Sequence, residues 1–423
     1  MDDVTEKARL VAAVDACGKV LNGGKGESVR ARWERLGREG GEVWDLEGEP
    51  DRYGDEVVRG LEEKVAELLG TQDAAFFPTG TMAQQVALRA WAGRTGNPVV
   101  ALHPLAHPEV HERNALSTVT GLRTVHPTRA PRLPSADEIR EFPEPFGTLM
   151  LELPLRDAGF VLPSWDELTA TVAAARERDA VIHFDGARIW ECAPHFGRTL
   201  PEIAALADSV YVSFYKSLGG LAGAALAGPT DLIDEAKVWR HRYGGLAYQQ
   251  FPIALAALAG LHTELPRLPS YVAHAKTVAK ALREGIGEGL ADAGAARGWP
   301  KVHPAEPHTH QFQLWLPYPA EIVNAAALRQ AEQDRVTLFG RARFTEPGLP
   351  GLSMTEMMIA ASALEWTESQ VREAAASFVR HLVAAETAAH ADQPAPDIPS
   401  QPAGQAERQA EHHAEEEPVT PAP

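Results

Sequence analysis

Two stretches decide how this chain is read: 181-VIHFDGARIWECA-193 and 209-SVYVSFYKSLGGLAGAALAG-228. In the first, an apolar run ends in Asp185, and Arg188 follows three residues later. A short apolar run bounded by turn residues reads as a buried strand. In open α/β sheets, ligands bind at the carboxyl ends of such strands. An Asp there can hold a heterocyclic cation, or it can cap the helix that follows. Arg188 has the planar fork that clamps a carboxylate, or it makes a surface ion pair. In the second stretch, Lys216 follows an apolar strand and precedes a run of small residues. Small neighbours leave room for a flat cofactor, and a lysine in apolar surroundings titrates easily and can form a Schiff base.

Outward from these stretches the chain alternates. Residues 74–77, 98–102, 147–153, 180–184, 209–214 and 222–227 read as strands. Residues 56–70, 81–92, 164–178 and 252–264 read as helices. Strands alternating with helices predict an α/β fold with a mostly parallel sheet covered by helices on both faces. After about residue 266 the rhythm changes. Residues 310–317 alternate like a half-buried strand, and 318–332 and 366–388 look helical, which predicts a smaller C-terminal α+β domain. The expected division is an N-terminal helical segment (1–43), a large α/β domain (44–265), the small domain (266–388) and an acidic, Pro-rich tail (389–423). From 391 onward that tail holds seven Pro, seven acidic residues and one Arg. Such a composition buries too little apolar surface to offset its ordering entropy.

Composition narrows the function classes. The 423 residues carry 40 Lys and Arg against 58 Asp and Glu, a net charge of −18, which argues against a general nucleic-acid or anionic-membrane binder. No apolar run reaches the length of a membrane span. Only Cys17 and Cys192 are present, so no disulfide scaffold is expected and a reducing compartment is. The charged start of the chain does not read as a secretory signal, and the expected location is the cytoplasm.

Two further features carry chemistry. In 76-FFPTGTMAQQVAL-88 a strand ends, Thr79-Gly80-Thr81 turns, and a helix begins. Free N–H groups at a helix start make an anion site, although a plain Thr-capped helix explains the pattern about as well. In 102-LHPLAHPEVHERNAL-116, His103, His107 and His111 are four apart. Pro104 and Pro108 interrupt a regular helix, and no acid or Cys cluster completes a zinc site, so no metal is expected. An imidazole stacked on an aromatic cofactor, or a satisfied core histidine, are the other uses.

Phosphate turn, stacking His, strand-end Asp followed by Arg, then Lys before Gly-rich sequence: this order resembles pyridoxal-phosphate enzymes of the aspartate-aminotransferase fold (type I). More narrowly it resembles the threonine aldolase and β-eliminating lyase family. The matching segments are YGDEVVRGLEE at 53–63, the Thr79-Gly80-Thr81 turn, His107 with Glu112, HFDGAR from His183 to Arg188, Lys216, and Gly244-Gly245. The resemblance implies that Lys216 carries pyridoxal 5'-phosphate and returns as a base. It implies that Asp185 pairs with the pyridinium nitrogen, that His107 stacks on the ring and takes part in proton transfer, and that Thr79, Gly80 and Thr81 hold the phosphate. Arg188 would bind the substrate carboxylate. The implied reaction is retro-aldol cleavage of a β-hydroxy-α-amino acid to glycine and an aldehyde, in a homodimer or homotetramer. β-Elimination, side-chain transfer or transamination on the same cofactor is the alternative, and a non-catalytic binding protein a third reading.

The chain departs from the family in places. Tyr215 stands where the family has Ser before its Lys, so Ser213 or Ser217 is expected to supply the phosphate contact. Tyr248 precedes Gln249 where the family commonly has a basic residue. The stretch 355-TEMMIAASALEW-366 has no Arg where the family's small domain supplies one to the carboxylate, leaving Arg341 and Arg343 as candidates.

Overall fold

The computed structural model describes residues 3–294 and 299–391. Nearly all of the expected tail, 392–423, lies outside them. The strands are β1 (Lys19–Val20), β2 (Asp73–Phe77), β3 (Val99–Ala101), β4 (Arg123–Val125), β5 (Thr148–Glu152), β6 (Val181–Gly186), β7 (Ser209–Ser213), β8 (Ala224–Gly228), β9 (Lys301–His303), β10 (Gln311–Leu316), β11 (Val336–Thr337) and β12 (Ser353–Met358).

Seven of them form one sheet in the order β2-β8-β7-β6-β5-β3-β4. Neighbours from β4 to β7 are parallel, while β8 runs antiparallel to both β7 and β2. The reversal at β8 comes from the glycines after Lys216. Gly223 has φ +92°, and a Cβ there would stand 2.6 Å from the Phe76 ring, so only glycine lets the chain turn back against β2. Alternate strand residues face opposite layers. Leu149, Leu151, Ile182 and Phe184 pack with helices Glu56–Leu69, Trp165–Arg176 and Phe251–Thr263. On the other face, Ala75, Phe77, Tyr211 and Leu226 pack with helices Gly80–Thr95 and Thr230–Arg242. With both faces buried, the strands show the continuous apolar runs that made them legible.

The C-terminal part is a three-stranded antiparallel sheet, β12-β10-β9, packed with helices Leu268–Asp292, Ala320–Asp334 and Glu368–Ala391. Strands β1, β4, β9, β11 and β12 were not anticipated, nor was helix Leu268–Asp292. β4 and β9 are three residues each, and β12 (SMTEMM) lacks clear apolar alternation. Residues 1–43 divide between the two parts. Helix Asp3–Asp15 lies on helix Ala320–Asp334, where Arg9 pairs with Glu332 at 2.6 Å, and β1 pairs with β11. Helix Val29–Gly40 packs on Phe251–Thr263, and Arg32 Nη2 donates to the Gly219 carbonyl at 3.1 Å.

Candidate active site

At the carboxyl ends of β5 and β6, Glu152 and Asp185 stand side by side in register, and Tyr211 in the middle of β7 is the next in line. Asp185 is 2% exposed, and its carboxylate accepts one hydrogen bond, from Ala187 N at 3.1 Å. Burial pushes its pKa up, because a desolvated carboxylate without a cationic partner is costly. Glu152 is also buried. It accepts from His107 N at 2.8 Å and Arg156 N at 3.2 Å, and burial together with the charge of Asp185 pushes its pKa up to about 8. Glu152 escaped the sequence reading, although it ends the apolar run LMLE just as Asp185 ends its own.

His183 pins this corner from within. Its Nε2 donates to Gln84 Oε1 at 2.7 Å, while its Nδ1 lies 2.7 Å from Ser209 Oγ, which accepts from Trp91 Nε1 at 2.8 Å. Strands β6 and β7 are thus tied to helix Gly80–Thr95 by a neutral imidazole, whose pKa burial lowers to about 3. The start of that helix borders the site. Thr79 caps it, its hydroxyl accepting from Met82 N at 3.3 Å. The N–H groups of Gly80 and Thr81 precede the first intrahelical bond and are free for an anion. A Cβ on Gly80 would stand 2.1 Å from the Tyr211 hydroxyl, so the close approach requires glycine. Gly245 packs against Met82 at the same turn.

The three spaced histidines go separate ways. His103 is a core residue, its Nε2 donating to the Ala130 carbonyl at 2.7 Å and its Nδ1 accepting from Leu105 N at 3.0 Å. His111 Nε2 pairs with Asp157 at 2.7 Å. His107 Nδ1 faces Glu112 at 3.3 Å, and that carboxylate raises its pKa. Among the described residues no group of three His, Cys, Asp or Glu is placed to hold a metal.

A small inner cavity is lined by Gly80, Thr81, His107, Asp185, Arg188 and Lys216. It adjoins a larger cleft of about 740 Å³ that shares Arg188, Tyr215 and Lys216 with it. Lys216 Nζ lies 4.9 Å from the centre of the Tyr215 ring. Burial, then the charges of Arg188 and Arg156, hold its pKa below the usual ammonium value. Arg188 sits over the Phe160 ring at 5.4 Å, with a buried Nε–H that has no acceptor.

Other expected residues lie apart from the inner cavity. Thr79 acts as the cap behind it. Ser213 is fully buried, its carbonyl accepting from Trp190 Nε1 at 3.0 Å, and it lines neither space. Ser217 donates instead to buried Glu191, whose Oε2 lies 2.7 Å from His310 Nε2. Arg341 and Arg343 line the larger cleft, but Asp15 and Glu6 hold them at 2.6 and 3.1 Å. Where a small-domain arginine was sought, β12 presents Glu356, which pairs with Arg156 at 2.9 Å.

This donor set fits pyridoxal phosphate. The group needs a lysine of low pKa, an anion seat and a counter-ion for its ring nitrogen. The buried Asp185 carboxylate has no cation hydrogen-bonded to it, as a counter-ion for a protonated ring nitrogen would require.

Comparison with known proteins agrees. The pattern of the beta-eliminating lyase family matches residues 46–289. The low-specificity L-threonine aldolase of Escherichia coli K12 is 33% identical over 242 residues, which cover 55% of this chain and 72% of that protein. The crystal structure of a candidate L-allo-threonine aldolase from Listeria monocytogenes EGD-E superposes with a TM-score of 0.78 at 31% identity, covering 89% of this chain and 99% of the other. A candidate aromatic amino acid beta-eliminating lyase/threonine aldolase from Exiguobacterium sp. 255-15 gives 0.78 at 33%, covering 88% and 99%. With the pattern spanning more than half the chain and the cavity assembled from the motifs that carry it, this chain belongs to the beta-eliminating lyase family.

Proposed function

We propose that this protein is a pyridoxal-phosphate-dependent carbon–carbon lyase that cleaves a β-hydroxy-α-amino acid to glycine and an aldehyde. The observation that carries the reading is the single cavity where Lys216, Asp185, Arg188 and His107 meet the start of helix Gly80–Thr95. The threonine aldolase relatives point to the same chemistry.

Bound pyridoxal phosphate supplies an electron sink for the pair released when a bond to the substrate's Cα breaks. The chain's residues do the rest. Lys216 carries the cofactor through Nζ, and its lowered pKa raises the fraction of neutral amine available as nucleophile and base. Asp185 would hold the proton of the ring nitrogen. The N–H groups of Gly80 and Thr81 hold the phosphate. Arg188, whose side chain makes no hydrogen bond or ion pair among the described residues, takes the substrate carboxylate. His107, with Nδ1 facing Glu112, would lie against the ring and take the β-hydroxyl proton at Nε2.

A homodimer or homotetramer is part of this reading. Val29 and Trp33, one turn apart on helix Val29–Gly40, and Tyr53 and Tyr248, whose ring centroids lie 5.3 Å apart, are exposed apolar or aromatic side chains that a second copy would bury. The two buried free cysteines are consistent with a reducing cytoplasm, and no described helix is long and apolar enough to cross a membrane.

The test is an absorbance spectrum of purified protein supplied with pyridoxal phosphate, repeated with a panel of β-hydroxy amino acids. A yellow band that shifts while glycine and aldehyde accumulate is the expected result. A shift without glycine transfers the reading to elimination or transamination. No band after cofactor addition overturns it in favour of a binding protein.

A further inference from the structure

Of the four arginines that line the larger cleft, Arg156 and Arg188 are in different electrostatic states. The Arg188 side chain makes no hydrogen bond or ion pair among the described residues, and its buried Nε–H lacks an acceptor. Arg156 follows β5 by four residues. Its backbone N–H is anchored on Glu152 at 3.2 Å, which fixes it beside the same buried carboxylate that holds His107. Its Nη1 donates to Asp157 at 3.1 Å and lies 3.3 Å from His111 Nε2. Its Nη2 donates to the Glu356 carboxylate at 2.9 Å, and its buried Nε–H, like that of Arg188, has no acceptor.

Resting on the reading that an amino acid occupies this cleft, we propose that Arg156 binds the substrate's α-carboxylate together with Arg188, giving up Glu356 in exchange.

Three observations carry this. First, both guanidinium groups line the cleft that Lys216 enters, and after burial theirs are the two charges that most depress the Lys216 ammonium. Both are therefore near the atom that the substrate's nitrogen must approach. Second, the other arginines lining the cleft are engaged elsewhere. Arg341 is held by Asp15 and Arg343 by Glu6, both on helix Asp3–Asp15. Third, the Glu356 partner can be spared. It comes from β12 of the other domain, and its side chain is one-third exposed, so the pair is screened by water. Trading Glu356 for a substrate carboxylate replaces one charge-assisted bond to Arg156 with another, while Arg188 gains a counter-ion it lacked. Glu356 loses its partner to water, where its charge is well solvated. The exchange also makes the domain-spanning contact depend on whether substrate is bound.

The test uses full-length protein loaded with pyridoxal phosphate and follows the cofactor spectrum during titration with glycine and, separately, with ethanolamine, which is glycine with its carboxylate replaced by an alcohol. Arg156→Gln should raise the apparent Kd for glycine at least tenfold and leave that for ethanolamine within twofold, with Arg156→Lys in between. For a cleaved β-hydroxy amino acid, KM should rise more than kcat falls. Glu356→Gln, which frees Arg156, should tighten glycine binding. Equal weakening of both ligands by Arg156→Gln, or no change in either, overturns the proposal. So does weaker glycine binding in Glu356→Gln, which decides the matter if Arg156→Gln fails to fold. Wild-type protein that binds glycine in this assay but cleaves no β-hydroxy amino acid would refute the lyase reading and leave the Arg156 test standing. Wild-type protein that never loads cofactor overturns both.

Discussion

Replacing Gly80 with alanine probes the tightest contact in the phosphate seat. The added Cβ would stand 2.1 Å from the Tyr211 hydroxyl oxygen, 2.9 Å from Cζ and 3.2 Å from Cε2. Tyr211 is almost fully buried on β7, hydrogen-bonded in the sheet between β6 and β8, so its ring has little room to swing. Overpacking of this kind costs about 1–3 kcal/mol. Alanine's better helix propensity returns less than about 1 kcal/mol, because Gly80 is the first helical residue. The expected net loss is about 1–2 kcal/mol in urea unfolding of the cofactor-free protein, accompanied by weaker pyridoxal phosphate binding as the helix start is pushed outward. Tyr211→Phe removes the clashing oxygen and relaxes the closest approach to the 2.9 Å ring carbon. The double variant should therefore be more stable than the sum of its parts by about 1 kcal/mol, a coupling a double-mutant cycle resolves. Additive effects within about 0.3 kcal/mol, or a Gly80→Ala protein as stable as its parent, would refute the close-approach argument.

Three further outcomes are expected. Borohydride reduction with pyridoxal phosphate should fix the cofactor onto Lys216 by peptide mapping; a label of similar yield on another lysine in Lys216→Ala would remove Lys216 from its role. Asp185→Asn should weaken cofactor binding by about 1.5–3 kcal/mol, the worth of a hydrogen bond to a charged group, yet stabilise the cofactor-free protein by removing a buried unpaired charge; a drop in both would mean Asp185 is structural. Glu152 keeps its proton up to about pH 8 in the folded chain, against about 4.5 in an ordinary setting. The unfolded chain loses that proton first as pH rises. The stabilisation from Glu152 is thus full below about pH 4.5 and is lost progressively toward pH 8, a change of up to a few kcal/mol. Glu152→Gln has no such proton, so its urea midpoint should gain on the parent's between pH 5 and 8, and parallel profiles would disprove the buried-acid assignment.

Much of the site was legible because its signals are local. A strand with both faces buried reads as an uninterrupted apolar run, and whatever polar residue ends it stands out, as Asp185 does in VIHFD. The same logic applied to LMLE would have found Glu152, but no second motif residue follows it to attract notice. Arg156 offered no local signal. Its importance depends on Glu356, which is 200 positions away in sequence and on a strand whose apolar alternation is weak. Ser213 shows the converse: it stands three residues before Lys216, yet it is fully buried and lines neither the inner cavity nor the cleft.

The α/β architecture, the lysine and the strand-end aspartate were determined by the sequence alone, because residue order along one strand and its following turn sets which group emerges at the sheet's edge. Tertiary structure alone decided which charges share the cleft. Electrostatic partnership depends on distance in space and on the water excluded between groups. Neither is encoded in the spacing of Arg156, Arg188, Arg341 and Arg343 along the chain. Only the tertiary fold brings Glu356 on β12 to Arg156 in the turn after β5, and only helix Asp3–Asp15 occupies the two arginines that looked available.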